Sequence, residues 1–129
     1  MSILETNNLT VIRKTGPLPI IPFIDIKEKI LGKNYTLTEI FCSPKQLQEC
    51  NRDYRDKDYP TNILSFPLDK TEGEIYISLV TARQDAKKFE MSYIEFLHLL
   101  FVHGCLHLKG HDHGSTMERA EEILRKKFR

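Results

Sequence analysis

"SYIEFLHLLFVHGCLHLKGHDH", residues 92–113, decides how this chain folds. Its first sixteen or so positions are the most apolar run of the sequence, yet Glu95, His98, His103 and His107 interrupt it. The run also falls short of the roughly 20 residues needed to cross a bilayer, so it reads as a buried core helix. Ser92 followed three residues later by Glu95 is a capping box that opens the helix. Gly110 can take the positive φ that closes it, so the helix should run to about Lys109.

Working outward, "TNILSFPL" (61–68) and "GEIYIS" (73–78) are short β-rich runs joined by a polar turn, and "YTLTEIFC" (35–42) is a further strand. Residues 2–13 carry enough β-branched and apolar side chains for one more, followed by the breaker "TGPLP" (15–19). Between these strands, "FIDIKEKILGK" suits a first helix ending at Gly32. "SPKQLQECNRDYR" (43–55) opens a second, with Ser43 as N-cap and Pro44 at the first helical position. A helical pattern starts at Thr81 and breaks near Met91, and a second S-x-x-E signature, Ser115 with Glu118, opens a terminal helix. Strands and helices do not strictly alternate, which predicts an α+β fold: one mixed sheet of about four strands against a central apolar helix.

At 129 residues with 40% apolar and 29% charged content, the chain supports one core, so residues 1–129 are read as a single domain. The opening "MSILETNNLTVIRK" lacks the basic start, apolar run and small-residue cleavage site of a secretory signal, so a cytoplasmic protein is expected. Cys42, Cys50 and Cys105 are odd in number and widely spaced, as for free thiols in a reducing compartment. The formal charge of +1 leaves any nucleic-acid footprint local.

Four of the five histidines fall within residues 103–113. His103 and His107, four apart, stack on one helical face about 6 Å apart along the axis. Gly110 then reverses the chain, so that His113 can return to the same face. Three imidazoles with a vacant fourth position is the arrangement of catalytic zinc, whereas structural sites close with four ligands, commonly cysteines. His98 sits off the ligand face and Cys105 on the opposite side of the helix, so both are read as core residues. His111 is a possible fourth ligand that would close the site.

The spacing of "HGCLHLKGHDH" resembles the ligand scaffold of the metzincin proteases, but those enzymes need a glutamate directly after the first histidine, and here Gly104 stands there. The same stretch, together with "NRDYRDKDYPTNILSFP" (51–67) and "GEIYIS", resembles the YbeY family of bacterial rRNA maturation factors. Relatives tend to carry Asp where this chain has Glu74, and often Tyr where it has His111. The resemblance implies a metal-dependent, single-strand-specific endoribonuclease. Such an enzyme acts in maturation of the 3′ end of small-subunit rRNA and in ribosome quality control, with no DNA partner and no membrane. It places one Zn²⁺, or another divalent transition metal, on His103, His107 and His113, and a functional arginine at Arg55.

That chemistry is physically coherent. Phosphodiester cleavage concentrates negative charge on non-bridging oxygens, which a cation and a guanidinium stabilise. Zn²⁺ can also lower the pKa of a bound water from 15.7 to about 7, which removes the need for a carboxylate base at position 104. Without the resemblance, Arg55 would be read as pairing with Asp53, Asp56 or Asp58. Arg52, Lys57 and Lys109 are candidate RNA contacts, and Tyr54 and Tyr59 candidate stacking platforms. The alternatives are a metal-dependent protease or other hydrolase on the same scaffold, and a non-catalytic ribosome-assembly factor in which zinc staples the helix to the loop after it.

Overall fold

The structure is a computed structural model that describes residues 2–14, 19–55 and 62–110, with the backbone alone for Ser2, Ile3, Tyr54 and Arg55. Among these residues five strands form one mixed sheet: β1 (Ser2–Glu5), β2 (Leu9–Arg13), β3 (Thr36–Cys42), β4 (Ile63–Asp69) and β5 (Glu72–Ser78), in the order β1-β2-β3-β5-β4. The central pairs β2–β3 and β3–β5 are parallel and the outer pairs antiparallel.

The expected single strand over residues 2–13 is in fact two. Thr6, Asn7 and Asn8 break it into an antiparallel hairpin, Ser2 opposite Arg13. The Thr6 hydroxyl accepts from the Leu9 amide at 3.1 Å, and the Thr6 amide donates to the Leu9 carbonyl at 2.7 Å. Ser, Thr and Asn side chains favour turns because they bond nearby backbone, and this one raises the strand count from four to five.

Among the described residues four helices cover the sheet: α1 (Phe23–Ile30), α2 (Pro44–Arg55), α3 (Leu79–Lys88) and α4 (Tyr93–Lys109). Each side of the sheet has its own core. On one, Leu9, Val11, Leu37, Phe41, Ile75 and Ile77 pack with residues of α1, α3 and α4. On the other, Ile40, Cys42 and Leu64 pack with Leu47 of α2. The single-sheet α+β reading therefore holds, with α2 as an additional layer behind it.

Local signals set the helix limits. The Ser43 hydroxyl accepts from the Gln46 amide at 3.2 Å, capping α2 as read. Helix α3 begins at Leu79 rather than Thr81, because Ser78 is its N-cap and accepts from the Thr81 amide at 3.2 Å. Glu90, at φ 55°, lies in the break before α4. Ser92 then accepts from the Glu95 amide at 3.1 Å and its hydroxyl donates to the Glu95 carboxylate at 3.2 Å, so Ser92 caps α4 as read.

Helix α4 is the spine of the larger core. Leu97, Phe101, Val102 and Cys105 have no exposed surface, and Phe101 meets Phe23 of α1 edge-on at 5.1 Å. Burying one such side chain is worth about 1.5–3 kcal/mol, so this face fixes the helix rotation and with it the direction of every other side chain on α4. Among the described residues no single helix is long and apolar enough to cross a membrane.

Candidate metal centre

The last two turns of α4 carry His103 and His107, both half-buried at the border of the core-facing surface. Their Nε2 atoms stand 3.0 Å apart and their rings meet at 72° with centroids 4.5 Å apart. Two imidazole nitrogens, each about 2.0–2.1 Å from one zinc ion in tetrahedral geometry, stand about 3.3 Å apart. The observed separation lies close to that, so the donor type and the spacing of the pair fit a shared divalent ion. The other arrangement compatible with 3.0 Å is a hydrogen bond from a protonated Nε2 of one ring to the unprotonated Nε2 of the other, which leaves the same two atoms facing one point.

Gly110 ends α4 in the left-handed conformation expected of it, φ 108°, and its amide donates to the His107 carbonyl at 3.0 Å. The chain therefore turns directly after the ligand face. His113, with His111 and the proposed terminal helix, lies outside the described residues. Among the described residues no group of three or more His, Cys, Asp or Glu side chains forms a metal-holding set. The structure thus brings together two of the three histidines named from sequence. His98 and Cys105 are buried in the core, as read. Burial also raises the Cys105 thiol well above its ordinary range, and Glu39 adds to the rise.

Gly104 answers the question raised by the metzincin spacing. A Cβ at this position would stand 2.9 Å from Ile75 Cδ1 and 3.2 Å from Ile63 Cδ1, inside the seam between α4 and the sheet. A glutamate there would have to enter the core, so the position after His103 presents no carboxylate to the pair. The scaffold shares its ligand spacing with the proteases and lacks their base for a steric reason.

Arg55 is the last residue of α2, and its side chain lies beyond what the structure describes. One of its three candidate acidic partners is already engaged: Asp53 Oδ1 takes Arg52 Nε at 3.3 Å on the exposed face of α2. Asp56, Lys57, Asp58 and Tyr59 lie outside the described residues. Strand β4 lies between the two helices that bear the candidate residues. Its Leu64 and Phe66 pack on the α2 side, while Ile63 packs on the α4 side and the Ser65 hydroxyl donates to the Gly104 carbonyl at 3.4 Å.

Set beside known proteins, the family model of Endoribonuclease YbeY matches residues 20–128. The chain belongs to the YbeY family. YbeY relatives similar to it include an Endoribonuclease YbeY of Thermotoga neapolitana, 36% identical over 79% of this chain and 68% of the relative. One of Carboxydothermus hydrogenoformans is 44% identical over 63% of this chain and 59% of the relative, and one of Sulfurovum is 38% identical over 78% and 80%. A Thermotoga maritima protein with a known solution structure shares the fold, with a TM-score of 0.63 at 24% identity over 92% of this chain and 88% of that one. The family resemblance read from the motifs is thereby established, and the YbeY match spans both the helix α2 segment bearing Arg55 and the histidine stretch.

Glu39 escaped the reading of the motifs. It sits in the middle of β3 with no exposed surface, opposite Val11 and Ile75, and neither carboxylate oxygen has a hydrogen-bond partner among the described residues. Burial pushes its pKa well above the usual carboxylate range. Strand alternation was the available signal: in "TLTEIFC" it points Glu39 to the same side as Leu37 and Phe41.

Proposed function

We propose that this chain is a metal-dependent endoribonuclease of the cytoplasm that cuts single-stranded RNA. Its substrate is the 3′ end of small-subunit rRNA and its partner the ribosome, in rRNA maturation and quality control. The observation that carries the reading is the His103–His107 pair, with Nε2 atoms 3.0 Å apart on a helix that turns back at Gly110. Membership of a family whose relatives are named endoribonucleases supports the choice of phosphodiester over peptide bonds.

His103 and His107, with His113 from the segment after Gly110, would hold one divalent ion, Zn²⁺ in the first instance. When bound, such an ion supplies a Lewis acid that draws charge from the phosphoryl oxygens. The chain's own groups do the rest. Neutral imidazoles leave the cation's charge undiminished, as carboxylate ligands would not. The Arg55 guanidinium matches two phosphoryl oxygens with its fork of donors and offsets the charge that builds there during cleavage. The apolar face of α4 behind the histidines keeps water off one side of the pair, which strengthens electrostatic interactions at the site.

The test is cleavage of a single-stranded RNA against casein and a matched RNA duplex, each with and without chelator. Chelator-sensitive cleavage of the single-stranded RNA alone is expected. Casein hydrolysis would move the site to the protease reading, and inert protein carrying a full zinc complement would move it to the structural staple.

A further inference from the structure

Helix α4 meets strand β5 through two reciprocal contacts one helical turn apart. At the first, the helix lacks a side chain and the strand supplies one: a Cβ on Gly104 would stand 2.9 Å from Ile75 Cδ1 and 3.2 Å from its Cγ2. At the second the roles exchange. A Cβ on Gly73 would stand 3.0 and 3.1 Å from the two Leu108 methyls and would strike the Tyr35 hydroxyl. Residues 73 and 75 share one face of β5, and residues 104 and 108 share one face of α4. Each glycine therefore receives the large side chain standing beside its counterpart. Ile75 has no exposed surface, so it can yield only against its packed neighbours. The Ser65 hydroxyl, donating to the Gly104 carbonyl at 3.4 Å, adds a polar contact from β4 at the same level.

We propose that Gly104 and Gly73 are positioning residues, which set the depth and height of α4 on β5 and so place the His103–His107 pair against strand β4 and the helix behind it. The inference rests on the reading of that pair as part of the active site. Each histidine immediately precedes one of the two α4 contact residues, so a shift of the seam carries both imidazoles with it. Their separation from each other stays fixed, because both stand on one helix. What changes is their placement relative to the other elements, strand β4 among them.

A displaced but intact pair predicts a particular pattern. In Gly104→Ala the new methyl pushes α4 away from β5. Zinc affinity, read by competition with a chromophoric chelator, stays within threefold of the parent, while kcat for RNA cleavage falls at least tenfold with KM little changed. Ile75→Val removes Cδ1, the nearest of the three atoms the new methyl meets, and leaves the longer contacts of 3.2 Å with Ile63 Cδ1 and with position 75 Cγ2. The double variant Gly104→Ala/Ile75→Val should accordingly recover kcat to within threefold of Ile75→Val alone. Structures of metal-free Gly104→Ala and of the double variant provide the readout independent of activity: α4 lifted from β5 in the first and reseated in the second.

Parental kcat in Gly104→Ala, or no recovery in the double variant, overturns the proposal. So does α4 in its original place in the metal-free single variant. If Gly104→Ala does not fold, the double variant decides: recovered folding with kcat within threefold of Ile75→Val supports the proposal, and no recovered folding, or folding without that kcat, rejects it. A parent that neither binds zinc nor cuts RNA would instead sink the proposed function, and the metal-free structures would still judge the seam.

Discussion

Glu39→Leu should stabilise the metal-free protein, and by more at pH 7 than at pH 5. The carboxyl has no exposed surface and, among the described residues, no hydrogen-bond partner, so even protonated it carries an uncompensated burial cost; mutational data put such costs at about 1–3 kcal/mol. Its folded pKa lies well above the 4.5 of an ordinary glutamate because burial disfavours the charged form. In the unfolded chain the proton leaves near that ordinary value. Between the two pKa values the native state therefore holds more protons than the unfolded state, and stability falls as pH rises. Between the two values the loss runs at no more than about 1.4 kcal/mol per pH unit; the contribution is fully present below the unfolded pKa and gone once pH passes the folded one. Leucine has neither the burial cost nor the slope. Urea unfolding of both proteins at pH 5, 6 and 7, in chelator so that metal release does not contribute, should show a gap that widens as pH rises. Parallel stability profiles would refute the reasoning, since they would mean that the carboxylate ionises in the folded core without penalty.

Three further outcomes follow from the same geometry. Ser92→Ala removes the side chain that caps α4 and should cost about 1 kcal/mol in urea unfolding, with the metal retained. Arg55→Glu should leave zinc content and the circular dichroism spectrum at parental values while RNA cleavage falls by at least two orders of magnitude, about 2.7 kcal/mol of lost transition-state stabilisation; parental cleavage would require Arg55 to be reassigned. Tyr35→Phe removes a buried hydroxyl that has no partner among the described residues and should leave the stability equal or higher, measured by thermal unfolding.

The parts of the fold legible in the sequence were those with local causes. Ser92, Glu95 and Gly110 define α4 at both ends because capping and the left-handed turn are decided within one helical turn. Ser43 did the same for α2. The N-terminal hairpin was missed because strand propensity runs high on both sides of Thr6–Asn8, and only the Thr6 hydroxyl's bonds to the backbone reveal the turn. The parallel pairing of β3 with β5 had no local signal, since it is set by a crossover through α2 and β4. At the site, i and i+4 spacing gave the His103–His107 pair directly. The role of Gly104 was invisible until Ile75 and Ile63 stood against it, because contacts between distant segments are not written at either position alone.

Metal content of purified protein is the most direct probe of the histidine site. Elemental analysis of the parent and of His107→Ala, purified without chelator, should give one zinc per parent chain and essentially none in the variant, with RNA cleavage lost in step. A His107→Ala protein that keeps its metal, or that cuts RNA without any, would contradict a hydrolytic centre built on these imidazoles.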